Sequence, residues 1–167
     1  MIIGIGGIST GGKSWIAQKI KDYYRNDKTV SILCQDNYTI PHDKIPRIKG
    51  HIDWEVPKSM DFDRFFRAIV KEAKDFDIVI AEGIFVFHKE RFVELFDKMI
   101  YFTLKKETFL ERKNKDLRWG KEPEWYIEHI WKSHVLYREQ QEVLDKMLVV
   151  PGEYPVDLDL IYKYVDS

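Results

Sequence analysis

The sequence carries a single cysteine, Cys34, in 167 residues. That excludes an intrachain disulfide and any zinc site built on several thiolates. Such sparing cysteine use fits a reducing compartment. Net charge is almost absent: 27 Lys and Arg stand against 28 Asp and Glu, leaving −1. A balance this even argues against a nonspecific nucleic-acid binder or a membrane-surface binder. Long apolar runs are missing as well. The opening MIIGIGG has no basic segment and reads as neither a signal peptide nor a membrane span. No internal repeat or low-complexity linker interrupts the chain. What remains is 44% hydrophobic and 33% charged, a globular composition long enough to bury a core. The expectation is one soluble, cytoplasmic domain over residues 1–167, with no nucleic-acid or membrane partner and an open oligomeric state.

Apolar runs at 2–6, 29–34, 77–82, 98–104 and 158–165 predict five strands. Helices are expected over 12–25, 89–96, 107–117 and 123–147. Another begins near Phe62, where Phe62, Phe65, Phe66, Ile69, Val70 and Ala73 share one helical face. Residues 36–58 hold Pro41, Pro46, Pro57 and Gly50 and read as mostly loop. Short apolar strands alternating with helices predict an α/β fold, a parallel sheet covered on both faces. In such sheets ligands bind at the C-terminal ends of the strands.

Gly7-Ile8-Ser9-Thr10-Gly11-Gly12-Lys13-Ser14 fits G-x-x-x-x-G-K-[ST] at every position, between an expected strand and an expected helix. The glycines let backbone N–H groups turn inward on phosphate oxygens, and the helix N-terminus adds partial positive charge. Gly7, Ser9, Thr10, Gly11, Gly12, Lys13 and Ser14 are therefore the candidate triphosphate cradle. Lys13 supplies a cation for the β- and γ-phosphates, and Ser14 a hydroxyl for Mg²⁺. Glu82, at the tip of an expected neighbouring strand, is the candidate metal-side carboxylate. A dinucleotide fingerprint fails because position 9 is Ser rather than Gly. A guanine-reading N-K-x-D fails too: in Asn114-Lys115-Asp116-Leu117 the aspartate comes one residue early.

Transfer to a small molecule needs a base, an acceptor pocket and a cationic lid. Asp36 follows the second strand at the ligand edge, where an ordinary turn aspartate would also fit. Trp54 and Glu55, beside Asp53, offer a flat ring and acids for sugar hydroxyls; a packed helix-entry loop reads the same way. Arg112, Lys113, Lys115, Arg118 and Lys121 crowd a segment broken by Gly120 and Pro123, either a hinged lid or a solvated helix face. His129 and His134 are five apart, not the four that sets metal ligands on one face, and His42 and His51 lie in the variable loop. Neither pair is assigned a metal. Cys34 reads as a small buried residue.

Taken in order, GISTGGKS, QDNYTIP, DWEVPKSMD, DIVIAEGIFVF, the basic segment and YIEHIWKSHVLYR resemble the nicotinamide riboside kinase and uridine kinase family of P-loop kinases. The resemblance spans nearly the whole chain and looks closest to the riboside kinases. It implies a three-layer P-loop kinase fold with a five-stranded parallel sheet and a short lid at about 113–124. It implies ATP and Mg²⁺, and a nucleoside-like small-molecule acceptor phosphorylated on its 5′-hydroxyl. Asp36 matches the general base, Glu82 the acid of the EG motif, and Trp54 the ring that stacks on the base. Glu55 matches the acid for the ribose 2′- and 3′-hydroxyls, Arg112 and Arg118 the lid arginines, and Tyr126 an aromatic on the other face of the ring. The chain departs from the family at Asn37, where a second acid is frequent, at Trp54, where Tyr or Phe is usual, and at Glu55, where Asp is usual. Nicotinamide riboside is the leading acceptor on this reading, with uridine or cytidine as the alternative. A nucleotide-binding module that senses ATP without transfer is a third. By fold analogy the loop Pro151–Pro155 adjoins the adenine.

Overall fold

A computed structural model of the chain describes residues 1–118 and 120–167. Strand β1 (Ile2–Gly7) leads through the phosphate loop into helix α1 (Lys13–Tyr24) and then β2 (Val30–Cys34). A loop region follows, with 3₁₀ turns and a small antiparallel pair, β3 (Arg47–Ile48) and β4 (His51–Ile52). Next come α2 (Phe62–Glu72), β5 (Ile78–Glu82), α3 (Glu90–Leu95), β6 (Lys98–Thr103) and α4 (Lys106–Lys115). The chain ends with α5 (Glu124–Tyr137), α6 (Gln141–Leu144), β7 (Leu148–Pro151) and α7 (Leu158–Asp166).

The main sheet has five parallel strands in the order β2-β5-β1-β6-β7. The chain leaves β1 toward one side and later returns on the other, so a crevice opens at the C-terminal end of β1. Alternation along the strands divides the core. Ile78 and Ile80 of β5 and Ile100 and Phe102 of β6 pack with Ile16 and Ile20 of α1 and Ile161 and Val165 of α7. Val79, Ala81, Met99 and Tyr101 pack on the other face with Phe65, Ile69 and Phe92. On β1 that second face carries glycine. A Cβ on Gly4 would stand 2.6 Å from Phe87 and 2.7 Å from Phe96, closer than carbon atoms approach, so the two rings occupy the space that a side chain would need. A third cluster sets Phe109 of α4 and Tyr126, Ile127 and Ile130 of α5 against Ile8 of the phosphate loop.

The five-stranded parallel sheet and its two helical layers agree with expectation, but the fifth strand does not. Residues 158–165 form α7 instead. Ile161 and Val165, four apart, are both buried, and the Asp157 side chain caps the helix by accepting from the Leu160 N–H at 2.9 Å. Leu160 is left 46% exposed, so the apolar run at 158–165 buries one helix face rather than a strand. The true edge strand is β7, which pairs Leu148 with Ile100 and Pro151 with Thr103. The helix expected over 123–147 stops at Tyr137, because Arg138 turns to an extended backbone (φ −61°, ψ 154°). No helix is long and apolar enough to cross a membrane among the described residues.

Candidate active site

Gly12 takes a left-handed backbone (φ 102°, ψ 10°) just before α1, a turn that favours glycine. No side chain caps α1, so its first N–H groups face the loop without a side-chain acceptor. Thr10 Oγ1 is buried and unpaired among the described residues. An orphan hydroxyl inside a loop of this type suits an oxygen-rich ligand. Lys13 is 8% exposed and donates from Nζ to the Ile8 carbonyl at 2.8 Å. Burial lowers its pKa, while Glu82, Asp36 and Glu55 pull the other way.

Three adjacent strand tips assemble the rest. Register places Glu82 of β5 beside Ile5 of β1 on one side and Cys34 of β2 on the other. Ser14 Oγ donates to Glu82 Oε1 at 2.9 Å. Asp36 lies in the 3₁₀ turn Gln35–Tyr38 that directly follows β2. It keeps solvent access at the cleft mouth, yet the surrounding protein raises its pKa by desolvation, with Lys13 opposing. Burial, with Glu82 and Asp36 nearby, pushes the Cys34 thiol up to about 12, so it is not a thiolate at neutral pH.

Ser9, Thr10, Gly12, Lys13, Ser14, Asp36, Glu82, Arg112 and Arg118 line one cleft of about 330 Å³, within the range of small-molecule sites. A small inner recess of about 10 Å³, room for about one water, adjoins it, sharing Ser9 and Ile84, and adds Glu55, Phe85, Ser133, His134 and Tyr137. Burial raises the Glu55 carboxyl to about 7 and lowers His134 to about 4. A hydroxyl and a carboxylate at Ser14 and Glu82 are hard oxygen donors, which suits Mg²⁺; that ion takes one or two protein carboxylates plus phosphate and water oxygens. Among the described residues no cluster of three His, Cys, Asp or Glu side chains has metal-binding geometry.

Trp54 meets His42 edge-on at 5.1 Å and 88°, and its carbonyl accepts from Ser59 Oγ at 3.1 Å. Tyr126, expected to face the acceptor ring, is 5% exposed and belongs to the third core cluster. Its ring stacks with His51 at 5.8 Å, and its hydroxyl donates to the Ile52 carbonyl at 3.2 Å while accepting from the Trp54 N–H at 3.4 Å. The structure therefore sets Tyr126 as a fastening beneath the loop that bears Trp54.

Arg112 bridges two loops, donating to the carbonyls of Thr10 at 3.1 Å and Gly152 at 2.8 Å. Its guanidinium lies 4.9 Å from the Tyr154 ring centroid, which ties the expected adenine loop to the phosphate loop. Arg118 is paired with Asp116 through Nε at 2.8 Å and Nη2 at 2.7 Å. That pairing depresses the Asp116 carboxyl to about 2. Lys113 is buried and meets Glu122 at 2.9 Å, so this cation of the basic run is not a solvated one. Trp119, within the expected lid, lies outside the described residues. The sequence reading gave Ser133 and Tyr137 no role and weighed His134 only as a metal ligand, which it declined. The buried face of α5 carries Tyr126, Ile127, Ile130 and Ser133, so polar Ser133 sits among core positions and nothing in the sequence sets it apart.

No family model matches the chain. It is 24% identical over 162 residues to nicotinamide riboside kinase 2 of Homo sapiens, covering 85% of this chain and 69% of that protein. It is 29% identical over 145 residues to the uridine kinase of Chlamydia pneumoniae, covering 71% and 64%. A solved structure of a possible uridine kinase from Bacillus stearothermophilus superposes with a TM-score of 0.61 at 17% identity, covering 89% and 87%. The chain has the P-loop kinase fold. Its resemblance to the nicotinamide riboside kinases and uridine kinases is borne out along most of its length.

Proposed function

We propose that this P-loop kinase transfers phosphate from ATP to the 5′-hydroxyl of a ribonucleoside-like small molecule, with nicotinamide riboside the leading acceptor. The observation that carries the reading is convergence: Lys13, the Ser14–Glu82 pair and Asp36 line one cleft, and Glu55 lines the recess that opens from it. Two acids, Asp36 in the cleft and Glu55 at its inner edge, stand beside the donor cradle, and that placement supports an acceptor hydroxyl next to the phosphate.

In this reading the phosphate loop and Lys13 hold the triphosphate. Ser14 and Glu82 would hold Mg²⁺, which when bound neutralises charge on the phosphate oxygens. Asp36 orients the acceptor hydroxyl and takes its proton. A carboxylate raised by desolvation suits that task better than a fully solvated one. Glu55, near neutrality in its pKa, is equipped to bond sugar hydroxyls in either protonation state. Arg112 and Arg118 stand on the donor side and balance charge on the group in transit. Excluding water from this cleft keeps ATP from simple hydrolysis.

Uridine or cytidine is the second reading, favoured by the 29% identity to a uridine kinase. ADP release measured with nicotinamide riboside, uridine and cytidine separates them. Folded protein that turns over with none of the three would sink the proposal.

A further inference from the structure

Helix α5 grips the loop that carries Glu55 along one stripe. Tyr126, His129 and Ser133 are spaced three and four apart, hence on one helical face. Tyr126 holds Ile52 and Trp54 as described above. His129 Nε2 lies 2.8 Å from Asp53 Oδ1, and Ser133 Oγ lies 3.4 Å from the same ring nitrogen. Asp53 is only 6% exposed. Its Oδ1 also accepts the Glu55 backbone N–H at 3.2 Å, and its own N–H donates to the Pro46 carbonyl at 2.7 Å. One carboxylate oxygen therefore joins α5 to the residue that enters the recess. With Asp53 ionised, the proton sits on Nε2 and the histidine donates. A buried carboxylate that loses its donor bears its full desolvation cost, so the loop would move to find another partner.

We propose that Asp53 and His129 are positioning residues that fix Glu55 in the acceptor recess, so that acceptor affinity depends on them while the donor half does not. The inference rests on the acceptor reading of the recess given above. Neither side chain touches the donor cleft, and the hydrogen-bonded path from His129 ends at the Glu55 backbone. A role in general packing would instead weaken donor and acceptor sites together.

The test compares wild type with His129→Ala, His129→Gln and Asp53→Asn, using ATP with whichever of nicotinamide riboside, uridine or cytidine wild type accepts. The glutamine amide keeps a donor at similar reach. His129→Ala is expected to raise acceptor KM about tenfold or more, with kcat and ATP KM within about twofold. His129→Gln should recover most of that loss, and Asp53→Asn should share it. Should His129→Ala fail to fold, His129→Gln and Asp53→Asn decide: acceptor KM near wild type in the first and raised in the second supports the inference. Acceptor KM unchanged in Asp53→Asn, or equal losses for ATP and acceptor in any folded variant, overturns it. Wild type that turns over none of the acceptors overturns the acceptor reading and this inference together. Wild-type turnover with unmoved variants overturns this inference alone.

Discussion

Ser14 Oγ and Glu82 Oε1 are 2.9 Å apart although 68 positions separate them in the chain. The contact exists because β5 lies beside β1, with Ile5 and Glu82 in register, and because α1 starts directly after the phosphate loop. Removing either oxygen should affect metal use before it affects the fold. Ser14 is exposed, so its hydroxyl is not a packing element. Ser14→Ala and Glu82→Gln are each expected to lower kcat by about 10²-fold or more and to raise the Mg²⁺ concentration for half-maximal turnover. Titrating Mg²⁺ at saturating ATP reads this; unchanged Mg²⁺ dependence in both variants would remove them from the metal site.

Asp36→Asn separates a kinase from a sensor. Loss of a general base costs about 10²–10⁴-fold in rate, and ATP affinity should stay within twofold because the phosphate loop is untouched. The pH profile carries a second mark. Desolvation raises the Asp36 pKa, and a base works only when deprotonated. Activity should therefore fall as pH drops through a value above the ordinary aspartate pKa of about 3.9, and the Asn variant should lack that acid limb. A variant with full turnover and the same acid limb would show that Asp36 is only a turn residue.

The donor half of the cleft was legible in the sequence because it is local. Gly7–Ser14 is one unbroken octet, and its strand–loop–helix context lies within about 25 residues of the N-terminus. Asp36 and Glu82 were legible because both stand at strand tips, and a parallel sheet brings strand tips to one edge. The recess was not legible. It is assembled from Ser9, Glu55, Ile84, Phe85 and residues of α5 more than 70 positions after Glu55, and no period in either segment announces the contact between Asp53 and His129. Residues 158–165 failed for a different reason. A short apolar run suits a strand or a buried helix face alike, but the Asp157 cap and the buried pair Ile161 and Val165 favour a helix, and β7 already supplies the sheet edge.

Glu55 gives a stability test that needs no substrate. Burial raises its carboxyl to about 7 in the folded protein, against about 4.3 in an unfolded chain. The folded state thus holds the proton more tightly. Its stabilising contribution is complete below about pH 4.3 and is lost as pH rises through about 7. Glu55→Gln cannot ionise and escapes that loss. The variant should gain melting temperature relative to wild type as pH goes from 5 to 8, with the difference smallest at the acid end. A difference that stays flat with pH would mean that the carboxyl remains solvated.

Arg112 holds the phosphate loop and the loop after β7 with one guanidinium, through Thr10 and Gly152. Gly152 sits so close that a Cβ there would come 2.7 Å from the Gly11 carbonyl, so the two loops already touch and Arg112 sets their relative position. Lysine keeps the charge but has a single point of donation and cannot span both carbonyls with a planar fork. Arg112→Lys is therefore expected to raise ATP KM by about tenfold, through misplacement of the loops rather than loss of charge. Arg112→Ala should do the same and also lower kcat, because the cation itself is gone. Acceptor KM should move less than ATP KM in the lysine variant, since Ser9 is the one phosphate-loop residue that lines the recess and its other walls come from Glu55, Ile84, Phe85 and α5. If lysine supports wild-type ATP KM, the charge alone suffices and the two-carbonyl bridge is incidental.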